Sequence, residues 1–418
     1  MAKPEIRLKG FKGEWERDSF TNTFRFLKNN SLSRADLNYE DGKVRNVHYG
    51  DVLIKFGELL DVSHSLLPYI TNKEIADRQD KENLLQNGDI VFADAAEDNT
   101  VGKCSEIQGL GLTDNVVSGL HTIPCRPIRQ FEKGYLGYFL NSNSYHDQLL
   151  PMIQGTKVCG ISKGNLNLTT ITYPNNKEEQ VALADYFKSL DSVIQGVTKK
   201  IASLKQMKQA CLVSMFPQAG ETTPRVRFKG FKGEWEDVSF KDITYLSGTK
   251  NRDNLPLESY SISNEKGFVP QNEQFEQGGT MTNADKRLYY IVTPDSFAYN
   301  PARINVGSIG YDDLDKDVIV SSLYVVFKTD DKTNNYFLNH WFKTPMFRNM
   351  IELYQEGGVR LYFFYDKLCQ CHFRRPSLAE QDKIASFFTS LDKQISLQEA
   401  RLEKLKQIKA ACLDKMFV

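Results

Sequence analysis

The sequence predicts an α+β protein: two globular heads separated by two long helices packed as an antiparallel coiled coil, in a circular arrangement with approximate two-fold symmetry. Three observations predict it. The opening phrase "RLKGFKGEWERDSF" (7–20) returns as "RFKGFKGEWEDVSF" (227–240). The segment "EEQVALADYFKSLDSVIQGVTKKIASLKQMKQACLVSMF" (178–216) returns without a gap as "AEQDKIASFFTSLDKQISLQEARLEKLKQIKAACLDKMF" (379–417). Between these frames lie two strand-rich bodies that barely resemble one another. A chain that repeats its frame and varies its inserts is a duplicated scaffold with two different heads. The expected division is a first head over 1–177, a helix over 178–216, a linker over 217–225, a second head over 226–378 and a second helix over 379–418.

In the first body, "NGDIVFAD" (87–94) reads as a turn followed by a short buried strand, and "VVSGLHTIPCRP" (116–127) reads similarly. "GYLGYFLNSNSYHDQLLPMI" (134–153) suits helix. A glycine-containing stretch, "QGTKVCGIS" (154–162), precedes the first long helix.

That helix carries apolar residues at Leu190, Ile194, Val197, Ile201, Leu204, Met207, Cys211 and Met215, in steps of three and four. Pro217 stops it, and "PQAGETTPR" (217–225) is a turn-forming linker back into the repeated phrase. In the second body, "KRLYYIVTPDSFAYN" (286–300) and "DVIVSSLYVVFK" (317–328) alternate as strands. "NYFLNHWFKTPMFRNMIELY" (335–354) suits helix, and "EGGVRLYFF" (356–364) occupies the place of the first glycine stretch, without the Thr of Gly155-Thr156.

The second long helix repeats the stripe at Leu391, Ile395, Leu402, Leu405, Ile408, Cys412 and Met416, broken only by Gln398. Each helix of ~36 residues is ~54 Å long, and one small head cannot cover such a stripe. The other copy is the natural partner. Matching registers allow antiparallel or parallel pairing, and antiparallel pairing is the expectation. Lys205, Lys208, Lys406 and Lys409 then read as solvated faces or partner contacts. Closing the C-terminal end onto Met1 makes the path circular.

Composition limits the function. Lys+Arg and Asp+Glu both number 53, so the net charge is zero and bulk charge does not coat the protein onto nucleic acid or membrane. A local basic groove is still open to it. No run of eighteen apolar residues crosses a membrane, and MAKPEIRLKG has no apolar signal region, so a cytoplasmic location is expected. Seven cysteines form no regular framework. Cys369-Gln370-Cys371-His372 lacks the second knuckle a zinc site needs, and "LCQCHFRRP" reads as a buried strand. No metal is expected. "GTKVCGIS" (155–162) lacks the ending of a phosphate-binding loop. "YNPAR" (299–303) lacks the second Pro of an adenine methyltransferase loop, and His121 reads as a satisfied strand histidine. No complete active site is present, so no catalytic residue is assigned.

Taken together, the two KGFKGEW phrases, the two EQ…MF helices, "GDIVFA" (88–93), "SGLHTIPCRP" (118–127) and "YNPARINVGSIG" (299–310) resemble the specificity (S, HsdS) subunit of type I restriction–modification systems over essentially the full chain. The resemblance implies that each head is a target recognition domain reading one half of a bipartite double-stranded DNA site. The helices would set the gap between the halves. Two modification (methyltransferase) subunits would dock on this chain and restriction (translocase-nuclease) subunits would join them. S-adenosylmethionine, ATP and Mg2+ would belong to those partners, and this chain would catalyse nothing. For base reading, the polar and basic residues of loops near glycine turns stand out: Asp94, Thr100, Lys103 and Lys157 in the first head, and Arg287, Arg303, Asn305, Ser308 and Arg360 in the second. For any one of them, a phosphate contact or a solvated loop is the blander alternative. Two other classes compete: an adaptor with two protein-binding heads, and a fused single-chain enzyme, which the missing cofactor motifs disfavour.

Overall fold

Two uninterrupted helices of 38 residues, α1 (Lys177–Ser214) and α2 (Leu378–Lys415), organise the chain. The computed structural model describes residues 3–155, 157–274 and 285–418. Met1 and Thr156 lie outside the described residues. The chain forms two compact units, Met1–Thr198 with Arg401–Val418, and Lys199–Ala400. Each long helix therefore serves both.

In the first unit a five-stranded sheet runs in the order Phe24–Phe26, Thr122–Pro127, Ile90–Ala93, Cys104–Gln108, Leu59–Asp61. A four-stranded sheet has Arg45–Val47 between Val116–Ser118 and Tyr69–Ile70. The second unit repeats the plan with a four-stranded sheet centred on Phe297–Tyr299 and Val325–Thr329, and a five-stranded sheet centred on Val318–Val320. The expected helical stretches fold as Tyr135–Leu140 with Asn143–Leu149, and Asn335–Trp341 with Pro345–Tyr354. Cys371 is buried beside the strand His372–Arg375, and burial pushes its thiol up to about 12.

The repeated phrase has a physical purpose. In the first unit Arg7 grips the buried Glu179 with two hydrogen bonds of 2.7 and 2.8 Å. The same guanidinium donates to the carbonyls of Gly13 and Lys12, so the KGFKG loop curls around it. Gly10 and Gly13 sit at φ of 98° and 93°, a region open to glycine and strained for other residues. In the second unit Arg227 grips Glu380 at 2.7 Å twice and donates to Gly233 and Lys232. The glutamine of each EQ pair is equally buried. Gln180 accepts from the Glu132 amide and donates to the Pro174 carbonyl; Gln381 accepts from Asn334 and donates to Pro376. The EQ pair thus ties the start of each long helix to its head.

Each phrase also carries a buried Trp that meets the end of a long helix. Trp15 packs edge-on against Phe417 at 6.3 Å, and Trp235 against Phe216 at 6.4 Å. Met416 and Phe417 enter the core of the first head, and Met215 and Phe216 that of the second. The Ile6 amide donates to the Lys415 carbonyl at 2.9 Å, as Val226 does to Ser214 at 2.8 Å. The C-terminal segment therefore closes the first head, as the expected circular path requires.

The two long helices pack together and antiparallel within each unit. In the first, Tyr186 meets Cys412, and Lys409 Nζ lies 2.6 Å from Asp191 and 2.7 Å from Glu58. In the second, Lys205 meets Glu399 at 2.7 Å, Lys208 pairs with Asp392, and Leu204, Leu391 and Ile395 form an apolar cluster. Val197 and Ile201 are buried, while Leu190, Ile194, Leu402 and Leu405 are partly buried. Two expectations are corrected. Ile408 does not close the seam: it is 40% exposed, and Met207 at the equivalent place is 45% exposed. Lys208 and Lys409 are not solvated faces; each turns inward onto a carboxylate, and the helix rotation that brings them in turns Met207 and Ile408 out. Burial opposes the charge of Lys409, but Glu58 and Asp191 outweigh it and hold its pKa above the ordinary value.

Candidate nucleic-acid interface

At one end of the first head, two loops and a turn are stitched together by backbone bonds. The strand Ile90–Ala93 runs out into the loop 94–102, whose residues Ala95–Ala96 pair with Cys159–Gly160. The Asp94 carbonyl accepts from the Ile161 amide, and the Asp94 amide donates to the His121 carbonyl, both at 3.0 Å. The hairpin 154–160 closes by reciprocal bonds between Gln154 and Gly160. Gly155, at φ 101°, is required there: a Cβ would sit 1.9 Å from the Val158 carbonyl oxygen. Exposed Lys157 and Val158 occupy the tip.

The second head builds the same arrangement from other residues. Strand Phe297–Tyr299 runs into the loop 300–307, which carries exposed Arg303 and Asn305 around a turn ending at Gly307, φ 93°. The Phe363 amide donates to the Pro301 carbonyl, the counterpart of the Ile161–Asp94 bond. The hairpin 356–362 closes through Glu356 and Tyr362, and a Cβ on Gly357 would lie 2.1 Å from the Arg360 carbonyl oxygen. Gly358 follows Gly357 here, so this closure needs no hydroxyl. Arg360 and Val359 project at the tip, with Tyr362 and Phe364 stacked at 5.4 Å behind it.

The structure thus gathers Asp94, Thr100 and Lys157 on one loop cluster, and Arg303, Asn305 and Arg360 on its counterpart. Three expectations shift. Ser308 is buried and donates to the Ile262 carbonyl at 2.9 Å, so it supports the loop rather than meeting a ligand. Lys103 is turned back towards the Leu53 carbonyl at 3.4 Å. Arg287 is exposed on the turn Lys286–Leu288, beside the strand Tyr290–Val292 of the other sheet and apart from the loop cluster. Thr100 is exposed and donates to Asp98 within its own turn.

His121 is the residue the sequence misplaced. It lies in the turn before the strand Thr122–Pro127, at φ 53°, with half of its side chain exposed. Its Nδ1 is 3.1 Å from Asp94 Oδ1. Burial raises the Asp94 pKa, and His121 opposes that shift. The signal was the turn dipeptide Ser118-Gly119 ahead of it, which breaks the strand pattern. Among the described residues, no cluster of three or more His, Cys, Asp or Glu could hold a metal ion, and no helix is long and apolar enough to cross a membrane.

Comparison with known proteins gives two findings. Residues 233–407 match the family described as Type I restriction modification DNA specificity domain. The whole chain superposes on the crystal structure of a type I restriction–modification system S subunit from M. genitalium, with a TM-score of 0.59 at 14% identity, covering 100% of this chain and 99% of that one. It also superposes on a chain from a structure describing complex assembly and conformational transition of the type I R-M system, with a TM-score of 0.55 at 14% identity, covering 96% and 97%. A comparison with curated protein sequences gave no match.

Proposed function

We propose that this protein is a DNA specificity subunit whose two heads read the two halves of one bipartite target, on the premise that residues 233–407 match the type I restriction modification DNA specificity domain family and the whole chain has the fold of a type I S subunit. The observation that carries this reading is the pair of loop clusters. The same loop and glycine hairpin recur in both heads, yet their side chains differ, with half-buried Asp94 and exposed Lys157 on one and exposed Arg303, Asn305 and Arg360 on the other. Equal geometry with unequal side chains suits two surfaces that perform one task on two sequences. Arg and Asn can each make two-pronged contacts to guanine and adenine edges.

The partners follow from the same reading. Modification subunits dock on this chain, restriction subunits join them, and S-adenosylmethionine, ATP and Mg2+ are bound by those subunits. This chain supplies recognition and spacing and performs no chemistry of its own, in the cytoplasm where the DNA is. Methylome sequencing of a strain carrying the gene with its modification subunit tests this. A bipartite methylated motif that disappears on deletion of this gene is expected. Replacing residues 21–176 with the equivalent body of a relative should change one half of that motif. A motif that survives deletion, or a swap that alters both halves, overturns the reading.

A further inference from the structure

We infer that His121, clamped by Asp94, is a specificity-determining residue of the first head, and that its Nε2 accepts a hydrogen bond from an exocyclic amino group on a base edge, adenine N6 or cytosine N4. The inference rests on the DNA-reading role proposed above and adds a residue and a chemical group to it. Four observations carry it. First, His121 holds a left-handed backbone conformation, φ 53°, that a histidine adopts at a cost and that clusters at functional positions. Second, it is tied twice to one residue: the Asp94 amide donates to its carbonyl at 3.0 Å, and Asp94 Oδ1 lies 3.1 Å from its Nδ1. With the ring proton on Nδ1 and directed at the carboxylate, Nε2 is left as a lone-pair acceptor. Among the described residues Nε2 has no protein partner.

Third, the ring borders an open cleft of about 460 Å³, which Asn29, Asn30 and Ser31 also line. Asn30 is held in that wall by its Oδ1, which accepts from the Leu32 amide and from Asn46. Behind the ring a chain of contacts runs into the protein. Tyr49 meets His121 edge-on at 5.3 Å and His48 at 4.7 Å. The His48 Nδ1 accepts from the Gly50 amide, and Arg34 joins it to Asp51, which also holds Lys55. Fourth, the pair is peculiar to one head. Pro301 occupies the place of Asp94 in the second head, as the matching carbonyl bonds from Ile161 and Phe363 establish, and proline has no carboxylate to orient a ring. A feature of the frame would be repeated; a feature of the reading surface need not be.

The test uses the full chain, purified as the complex it forms in its host, and duplexes carrying the methylated motif. His121→Gly removes the ring and relaxes the backbone, so it is a substitution the fold accepts; equal or higher melting temperature checks that. Affinities are measured for the motif, for each single base-pair change, and for duplexes in which one adenine or cytosine is replaced by an analogue lacking the amino group. The expected result is that H121G loses about tenfold or more of the discrimination at one base pair of one half-site. Deleting the amino group there should weaken the wild type by a similar factor and leave H121G unmoved. Asp94→Ala should relax the same base pair. Discrimination unchanged in a folded H121G overturns the inference and leaves the DNA-reading role standing. So does a loss spread over both half-sites, or a loss at a base pair whose amino groups are immaterial. A wild-type complex that distinguishes no base pair overturns the role itself and the inference with it.

Discussion

Lys409 Nζ lies 2.6 Å from the Asp191 carboxylate, joining the end of α2 to the start of α1 inside the first unit. Lys208 and Asp392 make the same bond in the second. The residues are related by the internal repeat, so one duplicated sequence supplies both halves of each pair. An antiparallel pairing of two copies brings position 409 to 191 and position 208 to 392 together. A parallel pairing would oppose each lysine to its own copy.

Lys409→Met should therefore be costly. It leaves Asp191 and Glu58, both largely covered, without their cation, a loss on the order of 3–5 kcal/mol. Ile408→Ala, one position away and 40% exposed, should cost less than about 1 kcal/mol. Urea unfolding of the two variants measures the contrast. Equal losses would mean that Ile408, and not Lys409, closes the seam.

His340 gives the second unit a pH dependence. Burial, with Lys343 and Lys208 nearby, pushes it down to about 2, and it packs on Phe388 where Tyr138 packs on Phe187 in the first head. The folded state holds the ring neutral, whereas the unfolded chain protonates near pH 6.5. Stability from this residue is complete above that pH and falls as the pH drops below it. At pH 5 the loss is about 2 kcal/mol relative to pH 7.5. His340→Tyr copies the first head and removes this contribution. Urea melts of both proteins at pH 7.5 and 5.0 should differ in their pH-induced loss by about that amount, with the wild type losing more.

Each head depends on an aromatic side chain at the far end of the other head's helix. Phe417 is buried against Trp15, Tyr135, Phe139 and Phe187, and Phe216 against Trp235, Phe337 and Phe388. Phe417→Ala should cost about 3–5 kcal/mol and deprotect amides of residues 24–173. Phe216→Ala should do the same to residues 240–375. Hydrogen exchange locates the loss; uniform deprotection of both heads by either variant would contradict the assignment.

The frame was legible because it is written twice. The helices, the strands at 90–93 and 318–320 and the place of the glycine hairpins all follow from period, turn chemistry and repetition. The reasons behind the repeated letters were not. Arg7 and Glu179 lie far apart in sequence, and nothing local says that a surface-looking arginine closes on a buried glutamate. Lys208 and Lys409 read as solvated faces or partner contacts because an isolated helix gives a lysine no partner, although their exact repetition alongside Asp191 and Asp392 was a usable signal. Ser308 and Arg303 look alike in a loop sequence. Only the register of the strand Ile309–Tyr311 decides that the serine turns in while the arginine stays out.

The spacing between half-sites should follow the length of the helices, and the pairing pattern says where to lengthen them. Every seam contact described above joins residues of one unit. α1 passes from the first unit to the second at Thr198–Lys199, and α2 returns at Ala400–Arg401. Seven residues inserted at both points leave Lys409 opposite Asp191 and Lys208 opposite Asp392. They add ~10.5 Å of helix, about three base pairs at ~3.4 Å each, and turn the downstream face by only ~20°. An insertion in α1 alone lengthens one strand of the pair and must buckle it. The double insertion should therefore yield a methylated motif with both halves intact and a gap longer by about three base pairs, and the single insertion should yield little methylation. Methylome sequencing of strains carrying each form reads this directly. A double insertion that altered the bases and left the gap unchanged would show that the helices do not measure the distance.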